Sequence, residues 1–193
     1  MVASGEEDSI GWKIRYHRDC RSDARRPLIS DDLKKGGLLV RKKLKWAGII
    51  IALIFIGLQF TTPRHINPPF NEAQALQGVT AVPSHVSELF ARSCNDCHSN
   101  KTNWRWYTYV APVSWFTVGH VNHGRAELNF SEWGRYGARM KETRLRAICQ
   151  QCEKGTMPIA SYAFVHPEVK LSRDEVRDIC EWTKLEGERL LSK

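Results

Sequence analysis

The segment Cys94-Asn95-Asp96-Cys97-His98 constrains this chain more than any other part of its sequence. It follows the pattern C-x-x-C-H, which is typical of c-type haem attachment. Two thiols three residues apart lie on one helical turn and can reach the two vinyl groups of one porphyrin, while the adjacent imidazole can bind iron. The pattern predicts one covalently bound haem c, with Cys94 and Cys97 as attachment points and His98 as the proximal iron ligand.

The cysteines also permit two other interpretations. A second C-x-x-C pair, Cys149 and Cys152, could complete a four-cysteine zinc cluster in a structural or interaction module. However, 51 residues separate the two pairs, whereas compact zinc modules place them about 15 to 20 residues apart. A thioredoxin-like dithiol is the other alternative, but the strand–helix–strand pattern expected around it is absent from the sequence. The residues therefore favour haem over zinc or a dithiol.

A second axial ligand for the iron is sought among Met157, His120, His123 and His166. Met157 lies 59 residues after His98, in the segment GTMP just before the last predicted helix. A thioether at this position raises the reduction potential relative to a second imidazole and fills both axial sites, as in an electron carrier. The three histidines lie where packing, surface or loop residues are expected, so each is a weaker ligand candidate than Met157. We predict Met157 as the distal ligand.

An uncharged run, WAGIIIALIFIGLQFTT, covers residues 46–62 and reaches the lower length limit of a transmembrane helix. Four basic residues between positions 41 and 45 precede it, so the positive-inside rule places the N-terminus in the cytoplasm. No convincing cleavage site follows. We predict an uncleaved single-pass anchor in the bacterial inner membrane, with the haem domain in the periplasm.

The segments on either side of this predicted anchor are polar. Residues 1–37 are polar and lack clear periodicity, and residues 1–45 are expected to form a flexible cytoplasmic tail. Since the run from Val40 already resembles a complete export segment, a second hypothesis is that translation begins near Val40. Residues 63–83 are rich in Pro, Asn and Gln and are predicted to be a linker.

The net charge of +8 does not identify a polyanion-binding protein. Up to position 45 there are 12 basic and 7 acidic residues, and after position 63 there are 17 and 14. The excess is therefore +5 in the tail and +3 in the domain, too little to indicate a nucleic-acid partner.

Helical patterns extend over the remaining residues 84–193. Ser84 is expected to cap a short helix, and residues 112–127 and 141–153 also have helical character. Ser172 and Glu175 form a capping-box pattern ahead of a helix over residues 173–191. Alternating strand patterns are scarce. We predict an all-α domain behind the anchor.

Between Lys43 and Trp182 the chain resembles the bacterial haem-binding domain family of small anchored cytochrome c-like proteins. The resemblance is carried by CNDCHSNKTNWRWYTYVAPVSWFTVGHVNHGR, LNFSEW, GTMP and HPEVKLSRDEVRDICEW. It implies a cytochrome c-like fold, haem bonded to Cys94 and Cys97, His98 as proximal ligand and Met157 as distal ligand.

The second cysteine pair departs from that pattern. Cys149 and Cys152 are not followed by His, so they do not predict a second haem site. A surface disulfide between them suits a location outside the cytoplasm. Cys180 is expected to be a small buried apolar residue.

The leading functional hypothesis is one-electron transfer to a redox partner protein in the periplasm or membrane, without chemistry on a bound substrate. A haem peroxidase or gas or redox sensor is the alternative; in it the distal site opens and His120 or His123 assists.

Overall fold

The computed structural model describes the backbone of residues 29–192 and the side chains of residues 40–192. Within this range the chain is helical and has no β-strand, which confirms the predicted all-α class. The helices are α1 (Ile29–Gln59), α2 (Leu76–Val79), α3 (Ser84–Ser93), α4 (Asn95–His98), α5 (Val113–Glu127), α6 (Ala138–Glu153), α7 (Ala160–Val165) and α8 (Arg173–Leu191). Single 3₁₀ segments occupy Glu72–Gln74, Trp106–Tyr109, Phe130–Arg135 and Pro167–Val169.

Helix α1 begins well before the predicted anchor. Residues 29–45, expected to be tail, are helical, because their Leu, Lys and Arg residues favour helix. The rest of the predicted tail, residues 1–28, lies outside the described residues. Among the helices that the structure describes, none is both long enough and apolar enough to cross a bilayer, so the span predicted over residues 46–62 is not supported.

The described part of the chain divides between Ile50 and Ile51, and the unit from Ile51 onward contains the hydrophobic core. Phe90 of α3 is fully buried; its ring stacks on Phe130 at 5.1 Å and meets Trp182 of α8 edge-on at 5.5 Å. Such aromatic pairs stabilise a core by about 0.5 to 1.5 kcal/mol beyond the area they bury.

Residues 63–83, predicted to be a linker, are part of the folded unit. They contain a 3₁₀ segment and helix α2, and Leu76 of α2 is fully buried in the core. Hydrogen bonds from His65 Nε2 to the Thr108 carbonyl (2.7 Å) and from Asn67 Nδ2 to the Thr102 carbonyl (2.9 Å) hold the preceding residues to the domain. The Pro- and Asn-rich composition correctly indicated an irregular backbone. However, this segment is packed against the domain and is not a free linker.

Helix α8 begins where its sequence predicts. The Ser172 hydroxyl accepts a hydrogen bond from the Glu175 N–H (3.2 Å), and the Glu175 carboxylate accepts one from the Ser172 N–H (2.7 Å). This capping box pairs two backbone donors that a helix end otherwise leaves unpaired. The predicted helix over residues 173–191 is confirmed.

A disulfide joins Cys149 of α6 to Cys180 of α8, which pack side by side. The expected partner, Cys152, is instead a buried free thiol, and Cys180 is partly exposed. Positions three apart on a helix differ by about 60° in direction. Cys149 therefore faces α8 while Cys152 faces a different neighbour.

Candidate functional site

Helices α3 and α4 bring the predicted attachment residues together on one turn. Helix α3 ends at Cys94, whose N–H donates to the Phe90 carbonyl at 3.0 Å. The Cys94 carbonyl then accepts from the N–H groups of Cys97 (3.1 Å) and His98 (2.9 Å). The side chains of Cys94, Cys97 and His98 are partly buried.

The imidazole of His98 is oriented by the C-terminal end of α5. Its Nδ1–H donates to the carbonyl oxygens of Gly124 (3.0 Å) and Leu128 (3.1 Å). Burial lowers the pKa of His98, so the ring is neutral at pH 7. Because Nδ1 carries the proton, Nε2 has a free lone pair, which is the arrangement of a metal-binding imidazole held by backbone carbonyls.

Gly124 permits this close approach of α5 to the cysteine turn. A Cβ atom at Gly124 would lie 2.8 Å from the Cys97 carbonyl oxygen, closer than real Cβ contacts. Any other residue would push α5 away from Cys97 and His98. The glycine in the segment HVNHGR is therefore a packing requirement.

The two thiols are protonated in the absence of a bonded group. Burial raises the pKa of Cys94, and the neighbouring Cys152 and Cys97 raise it further. Burial raises the pKa of Cys97 to about 11, with Asp96 adding to the shift. Both sulfurs therefore retain an S–H at neutral pH, the form that adds across a vinyl group.

Residues of the cysteine turn line two cavities. One, of about 470 Å³, is almost entirely apolar; its lining includes Cys97, Tyr107, Phe116, His120, Ile159 and Tyr162. The other measures about 390 Å³; its lining includes Cys94, His98, His123, Arg144, Cys152 and Met157. Both volumes are in the range of ligand and cofactor sites.

The loop after α6 places Met157 in the same cavity as His98. Gly155, at φ 65°, ends the helix in the left-handed conformation that glycine adopts without strain. The Met157 N–H then donates to the Gln151 carbonyl (3.3 Å). Met157 and His98 thus line one cavity, and Met157 has a relative exposure of 36 %.

The three alternative histidines differ in how far their rings are engaged. His166 is buried; its Nε2 accepts from the Tyr107 hydroxyl (2.5 Å) and its Nδ1–H donates to Glu168 (3.1 Å). Both nitrogens are therefore used by protein partners. His120 donates through Nδ1 to the Phe116 carbonyl (2.8 Å), while His123 lines the cavity that contains His98.

The four-cysteine zinc cluster is not assembled. Zinc binds thiolates, but the sulfur of Cys149 is bonded to that of Cys180. A cluster of Cys94, Cys97, Cys149 and Cys152 would require that bond to be broken. The zinc alternative was wrong because spacing along the chain does not show which neighbour a helical side chain faces.

Arg125 is a structural residue that sequence reasoning missed. Its Nε donates to the Ser99 carbonyl (2.8 Å), and Nη1 donates to the Ile66 carbonyl (2.8 Å). Nη2 donates to Asn67 Oδ1 (2.9 Å) and to the Thr102 hydroxyl (2.8 Å). One guanidinium thus ties the segment before α2 to the loop that follows His98.

A buried network of polar residues surrounds Asn100, next to the Ser99 carbonyl that Arg125 contacts. Asn129 Nδ2 donates to Asn100 Oδ1 (2.8 Å), and the Asn100 N–H donates to the Ser131 hydroxyl (2.9 Å). Asn100 Nδ2 also donates to the Pro69 carbonyl (3.0 Å). Polar residues of the two family-like segments CNDCHSN and LNFSEW are therefore hydrogen-bonded to one another. In the sequence, only the concentration of Asn and Ser in these short segments indicated this network.

Asp96, which lies between the two cysteines, is hydrogen-bonded to another residue that lines the larger cavity, Tyr162. Its Oδ2 accepts from the Tyr162 hydroxyl (2.5 Å), and its Oδ1 accepts from the Asn103 N–H (3.0 Å). Burial and the Asp96 carboxylate raise the pKa of Tyr162, so the phenol stays protonated as the donor. This contact joins the cysteine turn to α7.

The model of the haem-binding domain family matches residues 53–185, more than half of the chain. The chain belongs to the haem-binding domain family. No curated protein and no solved structure matches it. The resemblance predicted from the sequence is thereby confirmed, and the protein binds haem.

The residues of the site fit this cofactor. A neutral, oriented imidazole suits iron, and the almost entirely apolar lining of the larger cavity suits a porphyrin. The two S–H groups beside His98 are the donors that thioether bonds require. His98, Cys94 and Cys97 would hold haem, with Met157 available in the same cavity as His98.

Proposed function

We propose that this protein is a monohaem c-type cytochrome-like electron carrier. The observation that carries the proposal is the single turn that carries two protonated thiols and an imidazole whose Nδ1 is held by Gly124 and Leu128. When bound, haem supplies an iron atom that exchanges one electron between its ferrous and ferric states.

Each residue of the turn has a distinct task in this proposal. Cys94 and Cys97 form the thioether bonds and prevent cofactor loss. His98 is the proximal ligand, and its carbonyl partners fix the ring orientation and increase its basicity. Met157 would hold the iron from the second side, so that the site would transfer electrons without binding a substrate.

The surface beside Cys97 supports docking of a redox partner protein. Trp106, Phe116 and Val165 line the larger cavity and are also exposed, at 80 %, 50 % and 54 %. Phe164 beside them is 86 % exposed. Contiguous exposed apolar surface is a mark of interaction sites, so the partner is proposed to bind at this rim.

The location proposed for the domain is the periplasmic side of the bacterial inner membrane. The Cys149–Cys180 disulfide supports an oxidising compartment, because such bonds are rare in the bacterial cytoplasm. Attachment to the membrane rests on the sequence of residues 46–62 alone.

Covalent attachment is tested by a haem stain of the full chain after denaturing electrophoresis, from a host with cytochrome maturation. The wild type should keep its stain and contain one iron per chain. His98→Gln should be loaded poorly, whereas His85→Gln, an exposed histidine of α3, should match the wild type. Colour lost on boiling, or one zinc and no iron per chain, would reject the proposal.

The distal assignment has its own test. Met157→Ala should abolish the weak near-infrared sulfur-to-iron band of the oxidised protein. A band that persists in this variant would show that another group is the ligand.

A second candidate is an open distal site that binds peroxide or a small gas. It is favoured by the exposure of Met157 and by His123 and Arg144 in the same cavity. A five-coordinate spectrum of the reduced wild type would select it over the electron carrier.

A further inference from the structure

Cys152 is a nucleophilic residue that the proposed electron-transfer function does not use. It lies on α6, is 7 % exposed and belongs to the hydrophobic core cluster. Its side chain lines the same cavity as Cys94 and His98. Cys94 in turn packs against the cluster that contains Cys152, so two thiols from distant parts of the chain share one wall.

The other cysteine of α6 already forms a disulfide with a neighbouring element. Cys149 is bonded to Cys180 across the α6–α8 interface. The described free thiols are Cys94, Cys97 and Cys152. Cys97 lines the larger cavity, and Cys94 and Cys152 line the smaller one. Before haem is attached, an oxidising compartment therefore meets three reduced thiols around the cofactor site.

We propose that Cys94 and Cys152 form a reversible disulfide in the haem-free protein, and that this bond competes with haem attachment. The inference rests on the proposed c-type site, since only there does the loss of a free Cys94 thiol have a consequence. It assigns Cys152 a role in controlling when the site can be loaded.

The reaction balances as thiol–disulfide exchange with a protein or small-molecule disulfide. Cys94, the more exposed of the two residues, attacks the external disulfide through its minor thiolate fraction, and the S–S bond of that disulfide breaks and releases one thiol. The second cysteine attacks the mixed disulfide, so that the Cys94–Cys152 bond forms and the second external thiol leaves. Two electrons and two protons pass to the external disulfide, and a dithiol reverses the process.

The consequence for the site follows from the chemistry of thioether formation. A thiol adds across a vinyl group by giving its sulfur to one carbon and its hydrogen to the other. A Cys94 sulfur held in a disulfide has no hydrogen to give. Reduction of Cys94–Cys152 must then precede attachment, while Cys97 remains a free thiol throughout.

The experiment uses the full-length haem-free chain from a host that lacks cytochrome maturation. The chain is incubated with oxidised glutathione, free thiols are alkylated, and peptides are mapped without reduction. We expect a Cys94–Cys152 peptide pair beside Cys149–Cys180, with Cys97 alkylated and a mass loss of about 2 Da for each bond. A Cys94–Cys97 or Cys149–Cys152 pair, or an alkylated Cys152, would overturn the proposal.

Two variants keep the result interpretable. Cys97→Ser removes the neighbouring competitor and should form the same Cys94–Cys152 bond, whereas Cys152→Ser should leave Cys94 open to alkylation. Absence of the bond in Cys97→Ser would refute the inference. Since this mapping involves no haem, it can succeed or fail independently of the haem-stain test.

In a maturation-competent host grown with little external reductant, Cys152→Ser should carry haem on a larger fraction of chains than the wild type. Equal fractions would show that the bond does not compete with attachment.

Discussion

The two residues proposed as axial ligands are held in different ways. His98 follows directly from α3 and α4, and two backbone carbonyls of α5 fix its ring. Met157 lies in a loop, where the described hydrogen bonds of its backbone include one long contact from its N–H to the Gln151 carbonyl (3.3 Å). The proximal side is therefore pre-organised by helix packing, and the distal side depends on a loop that follows α6.

This difference separates two properties of the site. Contacts that exist without the cofactor lower the entropic cost of binding it, so retention of haem should depend on the His98 side. The identity and distance of the distal donor tune the reduction potential. Changes on the Met157 side should therefore alter spectra and potential more than they alter folding.

Among the variants that probe the two axial sides, the largest effect on folding is expected from the bond that holds α6, the helix that carries the Met157 loop. Replacing Cys149 and Cys180 together by Ser removes a cross-link between residues 31 apart. The entropy of the unfolded chain then rises, which should lower the free energy of unfolding by about 3 to 4 kcal/mol. Urea denaturation of both proteins measures this loss.

The reduced wild type is the matched control for that double variant. It should unfold at the same urea concentration as Cys149→Ser/Cys180→Ser. If the double variant instead matched the oxidised wild type, α6 and the distal loop would be held by packing alone.

On the proximal side, Gly124→Ala should be the most damaging small substitution. Its Cβ would meet the Cys97 carbonyl at 2.8 Å, so α5 must move and the contacts to His98 Nδ1 lengthen. Overpacking of this kind costs about 2 to 3 kcal/mol. The measurement is urea denaturation of the haem-free chain, together with the fraction of chains that retain haem.

Gly119→Ala, on the same helix, supplies the control. A Cβ at Gly119 has no atom within 4 Å, and alanine favours helix over glycine by about 1 kcal/mol. This variant should be equal to the wild type or more stable. Equal losses in both variants would show that the Gly124 contact is not what limits α5.

Local signals in the sequence predicted much of this organisation. The capping box of Ser172 and Glu175 gave the start of α8, because its partners are three residues apart. The C-x-x-C-H segment likewise placed Cys94, Cys97 and His98 on one turn. Each prediction succeeded because the interacting groups are neighbours along the chain.

Predictions failed where the actual partner in the structure is distant along the chain. The disulfide joins Cys149 to a residue 31 positions away rather than to Cys152, and Leu76 of the supposed linker is a core residue. The clash that makes Gly124 necessary involves Cys97, which precedes it by 27 positions. Hydrophobic periodicity contains no information about which distant element a given side chain will meet.

Arg125→Met tests whether the proximal side extends beyond His98. Methionine keeps much of the apolar stem but removes four hydrogen bonds to residues on both sides of the cysteine turn. The expected loss is about 2 kcal/mol in the free energy of unfolding, since bonds from a charged donor contribute more than neutral ones.

Arg125→Lys separates charge from geometry. Lysine keeps the positive charge but lacks the planar fork that contacts several acceptors at once. It should lose nearly as much stability as Arg125→Met in the same urea titration. Wild-type stability in the lysine variant would mean that charge alone connects the two segments.

The smallest change in stability is expected at the distal position. Met157→Ala in the haem-free chain removes a side chain that is already 36 % exposed, so only part of its apolar surface is lost from the interior. The free energy of unfolding should fall by about 1 kcal/mol. Phe90→Ala, which truncates a fully buried side chain, should lose about 3 to 5 kcal/mol in the same assay. If Met157→Ala approached that value, the distal loop would be part of the folded core before haem binds, and the contrast between the two axial sides would fail.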